Sequence, residues 1–131
     1  MSNTEEKKIL IVDDDPDIVR LLSSRLRANG FAVVAAEDGV SCMSQMRKVH
    51  PDLVIMDLGI PAGDGFKSIE RVRANVDYAA TPIIVLTGRE GDEVRERAME
   101  AGANAFFRKD LMDKEELLAS VWALLSTPAV H

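Results

Sequence analysis

Short, almost wholly apolar runs separated by stretches of helical periodicity leave this chain few folds to choose from. Ile9-Leu10-Ile11-Val12, Leu53-Val54-Ile55-Met56 and Ile83-Ile84-Val85-Leu86 have the length and β-branched character of strands. They do not alternate apolar with polar residues, so both faces of their sheet must be covered, as happens when helices pack on either side of a parallel sheet. Strands are predicted near 9–13, 32–36, 53–57, 82–87 and 104–108. Helical stretches fall between them, and that alternation is the signature of βαβ units in an α/β fold.

The helices carry local start and stop signals. Asp15 before Pro16 reads as an N-cap with proline at the first helical position, and Asn29-Gly30 stops that helix. A second helix is predicted over about 39–49, ended by His50-Pro51, and a third over about 65–75 after the loop from Gly59 to Asp64. A fourth, about 91–101, has the thinnest apolar stripe (Val94 and Ala98) and is therefore the element expected to move most readily. The fifth opens with Asp113 and Glu116 at capping-box spacing and buries Leu117, Val121 and Leu124.

With 131 residues the chain is sized for one domain, predicted over 9–126, with a disordered leader at 1–8 and a tail at 127–131. The net charge of −6 argues against non-specific nucleic-acid binding. Cys42 is the sole cysteine, which rules out an internal disulfide or a thiolate cluster and fits a reducing cytoplasm. No apolar run approaches a membrane span, and the polar leader does not read as a secretory signal. His50 and His131 are read as surface residues and Trp122 as a core or partly buried residue of the fifth helix.

Chemistry gathers at the strand ends. Asp13-Asp14, Asp57 and Thr87 each close an apolar run, and Lys109 follows Ala105-Phe106-Phe107. In open parallel sheets ligands bind at the carboxyl ends of the strands, so these distant residues are predicted to meet. Two unit charges 4 Å apart repel by about 4 kcal/mol at an effective dielectric of 20, so converging carboxylates call for a cation. Mg²⁺ suits one or two carboxylates plus water and phosphate oxygens. Asp57 is the candidate nucleophile toward phosphorus, with Lys109 and Thr87 placed to neutralise the phosphoryl oxygens. Asp15 fits a helix cap better than the metal site.

Taken together, these residues resemble the receiver domain of bacterial two-component response regulators, most closely the single-domain chemotaxis-regulator kind. The motifs are Ile9 to Asp15, Pro51 to Leu58, Pro61 with Asp64-Gly65, Thr81 to Gly88, and Gly102-Ala103 with Phe106 and Lys109, and they span roughly 7–126. The resemblance implies a flavodoxin-like, doubly wound five-stranded parallel sheet in the order 2-1-3-4-5 with five helices on both faces. It implies Asp57 as phosphoacceptor, Asp14 as a direct Mg²⁺ ligand, Asp13 as one acting mainly through water, and the Gly59 carbonyl as a further ligand. Thr87 and Phe106 match the switch pair and Lys109 the phosphate-binding lysine. The implied partners are a histidine kinase or phosphotransfer protein and an output protein read through the fourth helix, fifth strand and fifth helix.

Asp110 follows Lys109 where the family often has proline, and a trans Lys109–Asp110 bond is expected because a non-proline cis bond costs about 2.5–4 kcal/mol. Phe106 stands where tyrosine is frequent, and Gly59 and Arg89 flank the expected approach of a hydrolytic water. The expected function is a Mg²⁺-dependent phosphoaccepting switch that assists its own modification and is not an enzyme toward separate substrates. A stand-alone regulator is expected over a receiver cut from a longer protein. Two other readings are an aspartyl-phosphate hydrolase and a phosphorylation-independent interaction module. The hydrolase reading lacks a second acid close behind Asp57, where Leu58-Gly59 follow. The module reading is disfavoured by the presence of Asp14, Thr87 and Lys109 together.

Overall fold

The computed structural model describes residues 6–60, 64–89 and 91–126. The five strands are β1 (Lys8–Val12), β2 (Ala32–Ala36), β3 (Leu53–Met56), β4 (Ile83–Thr87) and β5 (Ala105–Arg108). They alternate with α1 (Pro16–Ala28), α2 (Gly39–Val49), α3 (Gly65–Ala74), α4 (Asp92–Ala101) and α5 (Lys114–Ser126). The sheet is parallel throughout and its strand order is 2-1-3-4-5, as expected. Among the described residues no helix is long and apolar enough to cross a membrane.

The apolar runs serve two cores at once. Leu10, Val12, Val54, Met56, Ile83 and Val85 face α2, α3 and α4, where Met46, Ile69 and Ala98 meet them. Their neighbours Ile9, Ile11, Leu53, Ile55, Ile84 and Leu86 face α1 and α5, against Leu22, Leu26, Leu117 and Val121. That division explains why β1, β3 and β4 read as unbroken apolar sequence. β5 is an edge strand and only half-buried, which matches its shorter run.

The α1 cap acts where the sequence signals it, α2 has a cap that the sequence reading did not single out, and the α5 cap differs from the one read there. Asp15 accepts from the Asp17 N–H ahead of Pro16, and Asp38 and Ser41 form a capping box at α2. His50 closes α2 in a left-handed conformation at φ 49°, its N–H donated to the Met46 carbonyl. At α5 the Asp113 carboxylate takes the Glu115 N–H at 2.8 Å, whereas Glu116, read as its capping-box partner, is exposed. The predicted leader is shorter than read, because Lys8 belongs to β1 and donates its N–H to Asp52 at 2.8 Å. Residues 1–5, Pro61, Gly63 and the tail with His131 lie outside the described residues.

Space fixes one glycine, and backbone conformation together with a close side chain fixes another. A Cβ on Gly65 would lie 2.6 Å from the Leu58 Cα and 2.8 Å from the Asp57 carbonyl, so glycine lets α3 start against the end of β3. Gly102 has φ +122° and sits where a Cβ would meet the Arg73 side chain at 2.7 Å.

Candidate functional site

The topology itself brings the acids together. β1 and β3 are neighbours with Val12 opposite Met56, so the residues that follow them, Asp13 and Asp57, emerge side by side. Backbone bonds extend both strands into the site: the Asp57 N–H donates to the Val12 carbonyl at 2.9 Å, and the Asp13 N–H to the Ala36 carbonyl at 3.0 Å. The chain reverses direction across the sheet at this point, which is where ligands sit in doubly wound folds. Asp13, Asp14 and Asp57 each bring a carboxylate oxygen within 4.8 Å of the others, with Asp13 and Asp57 buried and Asp14 exposed.

Lys109 enters from the other side. Its N–H donates to the Thr87 carbonyl at 2.8 Å, which continues the β4–β5 ladder by one residue. Its ammonium reaches Asp13 Oδ2 at 2.7 Å and Asp57 Oδ2 at 3.4 Å. All peptide bonds among the described residues are trans, so Lys109–Asp110 has the expected geometry and still delivers the ammonium to the cluster.

Burial outweighs the other influences on Asp13 and raises its carboxyl pKa; the Lys109 and Asp15 hydrogen bonds pull it down, and the Asp57 charge adds to the rise. For Lys109 burial pulls the other way, but the Asp13 hydrogen bond and the charges of Asp57 and Asp13 prevail, so its pKa is raised. The ammonium is therefore firmly held, while the acids remain in excess. Three carboxylates against one ammonium leave two negative charges in a half-buried crevice. Hard oxygen donors, that surplus charge and one solvent-facing carboxylate fit a divalent cation that keeps part of its water.

Of the remaining predicted residues, Gly59 and Thr87 adjoin this cluster, and Phe106 stands on the edge strand. Thr87 ends β4, is buried, and its hydroxyl accepts the Arg89 N–H at 3.3 Å. Gly59 turns its N–H toward Asp57 Oδ1 at 3.3 Å. Phe106 lies opposite Val85 on β5 and packs, half-buried, on the α2–α3–α4 side of the sheet.

Sequence reasoning missed three supports. The Asp15 N–H donates to Asp13 Oδ1 at 2.9 Å, so the residue read as a helix cap also orients the first carboxylate. Gly65 permits the close approach that backs Asp57, a role its place in a motif could have suggested. Arg73 ties α3 to the segments before β4 and β5, donating to Gly102, Ala79, Thr81 and Asn104, and nothing in its sequence context marks it.

The chain is similar to known proteins in sequence and in fold. The chain is 36% identical over 118 residues to the DNA-binding dual master transcriptional regulator RpaA of Synechocystis, a match covering 90% of this chain and 48% of that protein. It is 33% identical to the phosphate regulon transcriptional regulatory protein PhoB of Escherichia coli, covering 91% of this chain and 52% of PhoB. The chain thus spans about half the length of these relatives. Among solved structures it superposes on the receiver domain of the sensor histidine kinase PA1611 from Pseudomonas aeruginosa, crystallised with a magnesium ion coordinated in its active site cleft. That match has a TM-score of 0.85 at 26% identity and covers 94% of this chain and 100% of the other. The chemotaxis protein CheY4 of Vibrio cholerae matches with a TM-score of 0.84 at 29% identity, over 92% of this chain and 99% of that one. The sequence model of the family described as response regulator receiver domain matches residues 9–122, and on that ground the chain belongs to the response regulator receiver domains of two-component signalling.

Proposed function

We propose that Asp57 is the phosphoacceptor of this receiver and that Mg²⁺ is held by Asp13, Asp14, Asp57 and the Gly59 carbonyl. The observation that carries this reading is the convergence of three carboxylates and the Lys109 ammonium at the β1–β3 crevice. An Asp57 carboxylate oxygen bonds to phosphorus as the donor's N–P or O–P bond breaks, and the leaving group departs with the electron pair. Mg²⁺, when bound, neutralises a phosphoryl oxygen. Lys109 is placed to exchange part of its contact with Asp13 and Asp57 for a second oxygen. Thr87 offers a hydroxyl once it gives up the Arg89 N–H.

The donor in this reading is a phosphohistidine on a kinase or phosphotransfer protein. The chain assists its own modification and acts on no separate substrate. The reading places it in the cytoplasm, with Cys42 a buried, unreactive thiol whose pKa is pushed up to about 12, chiefly by burial and then by the Asp38 charge. Its output is a change in the surface of α4, β5 and α5, with Phe106 following Thr87. Acetyl phosphate with Mg²⁺ should add one phosphoryl group per chain by intact mass, and Asp57→Ala should abolish it. Equal incorporation by Asp57→Ala would falsify the assignment.

A further inference from the structure

α4 is fastened to the rest of the molecule very unevenly. Only Ala98 of this helix is fully buried, so packing on the sheet holds it lightly. Its C-terminal end is pinned from α3: Arg73 donates to the Gly102 carbonyl at 3.0 Å and to Asn104 Oδ1 at 2.8 Å, and the same Asn104 oxygen accepts the Ile83 N–H at 2.8 Å. The N-terminal end begins at a residue that has no side chain to cap it. Gly91 caps it at φ +112° with no side-chain hydrogen bond.

Between the two ends lies a contact that neither helix pattern predicts. The guanidinium of Arg97 on α4 stands 4.0 Å from the centre of the Phe66 ring, in the first turn of α3. The Arg89 guanidinium approaches the same ring less closely, at 5.9 Å. Phe66 is 3% exposed, and the exposed Arg97 guanidinium lies over the face of this buried ring, the geometry in which the ring quadrupole attracts a cation. Phe66 also follows Gly65, whose backbone abuts Asp57, and Arg89 holds the Thr87 hydroxyl through its N–H. One ring therefore joins the segment behind the phosphoacceptor, the turn after Thr87 and the middle of α4.

We propose that the Arg97–Phe66 contact is a latch that keeps the N-terminal half of α4 on α3 in the unphosphorylated protein, and that Arg73 makes the C-terminal end its hinge. The proposal rests on the Asp57 reading for its trigger: when the Thr87 hydroxyl turns to a phosphoryl group it releases the Arg89 N–H, the Arg89 guanidinium shifts at the Phe66 ring, and the latch opens. Motion then enters α4 at Asp92 and dies out toward Gly102.

Hydrogen exchange along α4 of the full chain, read by mass spectrometry, tests the two parts separately. In the unphosphorylated protein, Arg97→Met keeps helix propensity and length but removes the cation. It should speed exchange in the first half of α4 by about two- to five-fold, the worth of one such contact, and leave the end at Gly102 unchanged. Arg97→Lys should retain most of the protection. Exchange in Arg97→Met equal to wild type, an acceleration spread evenly to Gly102, or Arg97→Lys behaving as Arg97→Met would each overturn the latch. Phosphorylating wild type with acetyl phosphate and Mg²⁺ should reproduce the Arg97→Met pattern, and an unchanged α4 in fully phosphorylated protein would overturn the trigger. If wild type takes up no phosphoryl group, the Asp57 reading fails while the unphosphorylated comparison still decides the latch.

Discussion

At the scale of single residues the site is a competition for negative charge. Lys109 stands 2.7 Å from Asp13 and 3.4 Å from Asp57, so its ammonium occupies part of the field that a divalent cation would use. Removing it leaves the carboxylates without an internal counter-charge. Lys109→Met is therefore expected to bind Mg²⁺ more tightly, by roughly three- to ten-fold once solvent screening of this partly exposed pair is allowed for, and to accept phosphoryl groups more slowly. Calorimetric Mg²⁺ titration together with the rate of labelling by acetyl phosphate would show the two effects moving in opposite directions; weaker Mg²⁺ binding would refute the argument. Asp13, Asp14, Asp57 and Lys109 were legible in the sequence because each stands at the carboxyl end of a recognisable strand, and the sheet order does the rest. Arg73 and Arg97 were not, because on a surface helix an arginine reads as a solvated charge until the neighbouring element is known. Trp122 went partly against expectation: it is 46% exposed, yet one face rests on Phe31 with ring centroids 4.7 Å apart.

At the scale of elements, boundaries and caps govern how the site residues are held. The elements were readable from period and punctuation, and the differences are confined to a residue or two at their ends and to α5. There the Asp113 carboxylate caps through Glu115, a choice set by side-chain rotamers that spacing alone does not fix. Asp38 shows what such a cap does. Its carboxylate accepts the Ser41 N–H and hydroxyl, both at 2.7 Å, and these bonds hold its pKa below the ordinary 3.8. A depressed folded-state pKa contributes stability above pH 3.8 that disappears as the pH falls through the folded value. Asp38→Asn keeps a capping oxygen but loses that charge, so urea unfolding should find the variant less stable than wild type at pH 7 and equal to it in strong acid. A gap that persists unchanged at acid pH would point to packing instead. Gly65 sets the other boundary: Gly65→Ala places a methyl 2.6 Å from the Leu58 Cα, and should cost about 1–3 kcal/mol in urea unfolding and slow phosphoryl uptake by moving α3 off the Asp57 backbone. Full stability in that variant would show that the approach is not needed.

At the scale of the whole molecule, the sheet separates two cores, and the segments proposed to carry the signal lie where burial is thin. β1, β3 and β4 are buried on both faces and fix the acids, whereas β5 is half-buried and α4 buries one side chain completely. A rigid centre with a loosely held flank lets a charge change at the crevice reach the surface without unfolding the sheet. That division needs a fixed point on the loose side, and Arg73 supplies it. Burial lowers its pKa, yet the guanidinium remains charged and donates at 2.7 Å to Thr81 and at 3.0 Å to Gly102, across the entries to β4 and β5. Charge-assisted bonds to carbonyls that lose their partner are costly to remove, so Arg73→Met should destabilise the fold by roughly 2–3 kcal/mol. It should also let exchange at the Gly102 end of α4 rise to match the N-terminal end, turning a hinge into a freely moving helix. Chemical denaturation gives the first quantity and hydrogen exchange the second. If stability falls while the gradient along α4 survives, Arg73 holds the loop before β4 and the hinge lies elsewhere; if both change together, the anchor that confines the motion to one end of α4 is this arginine.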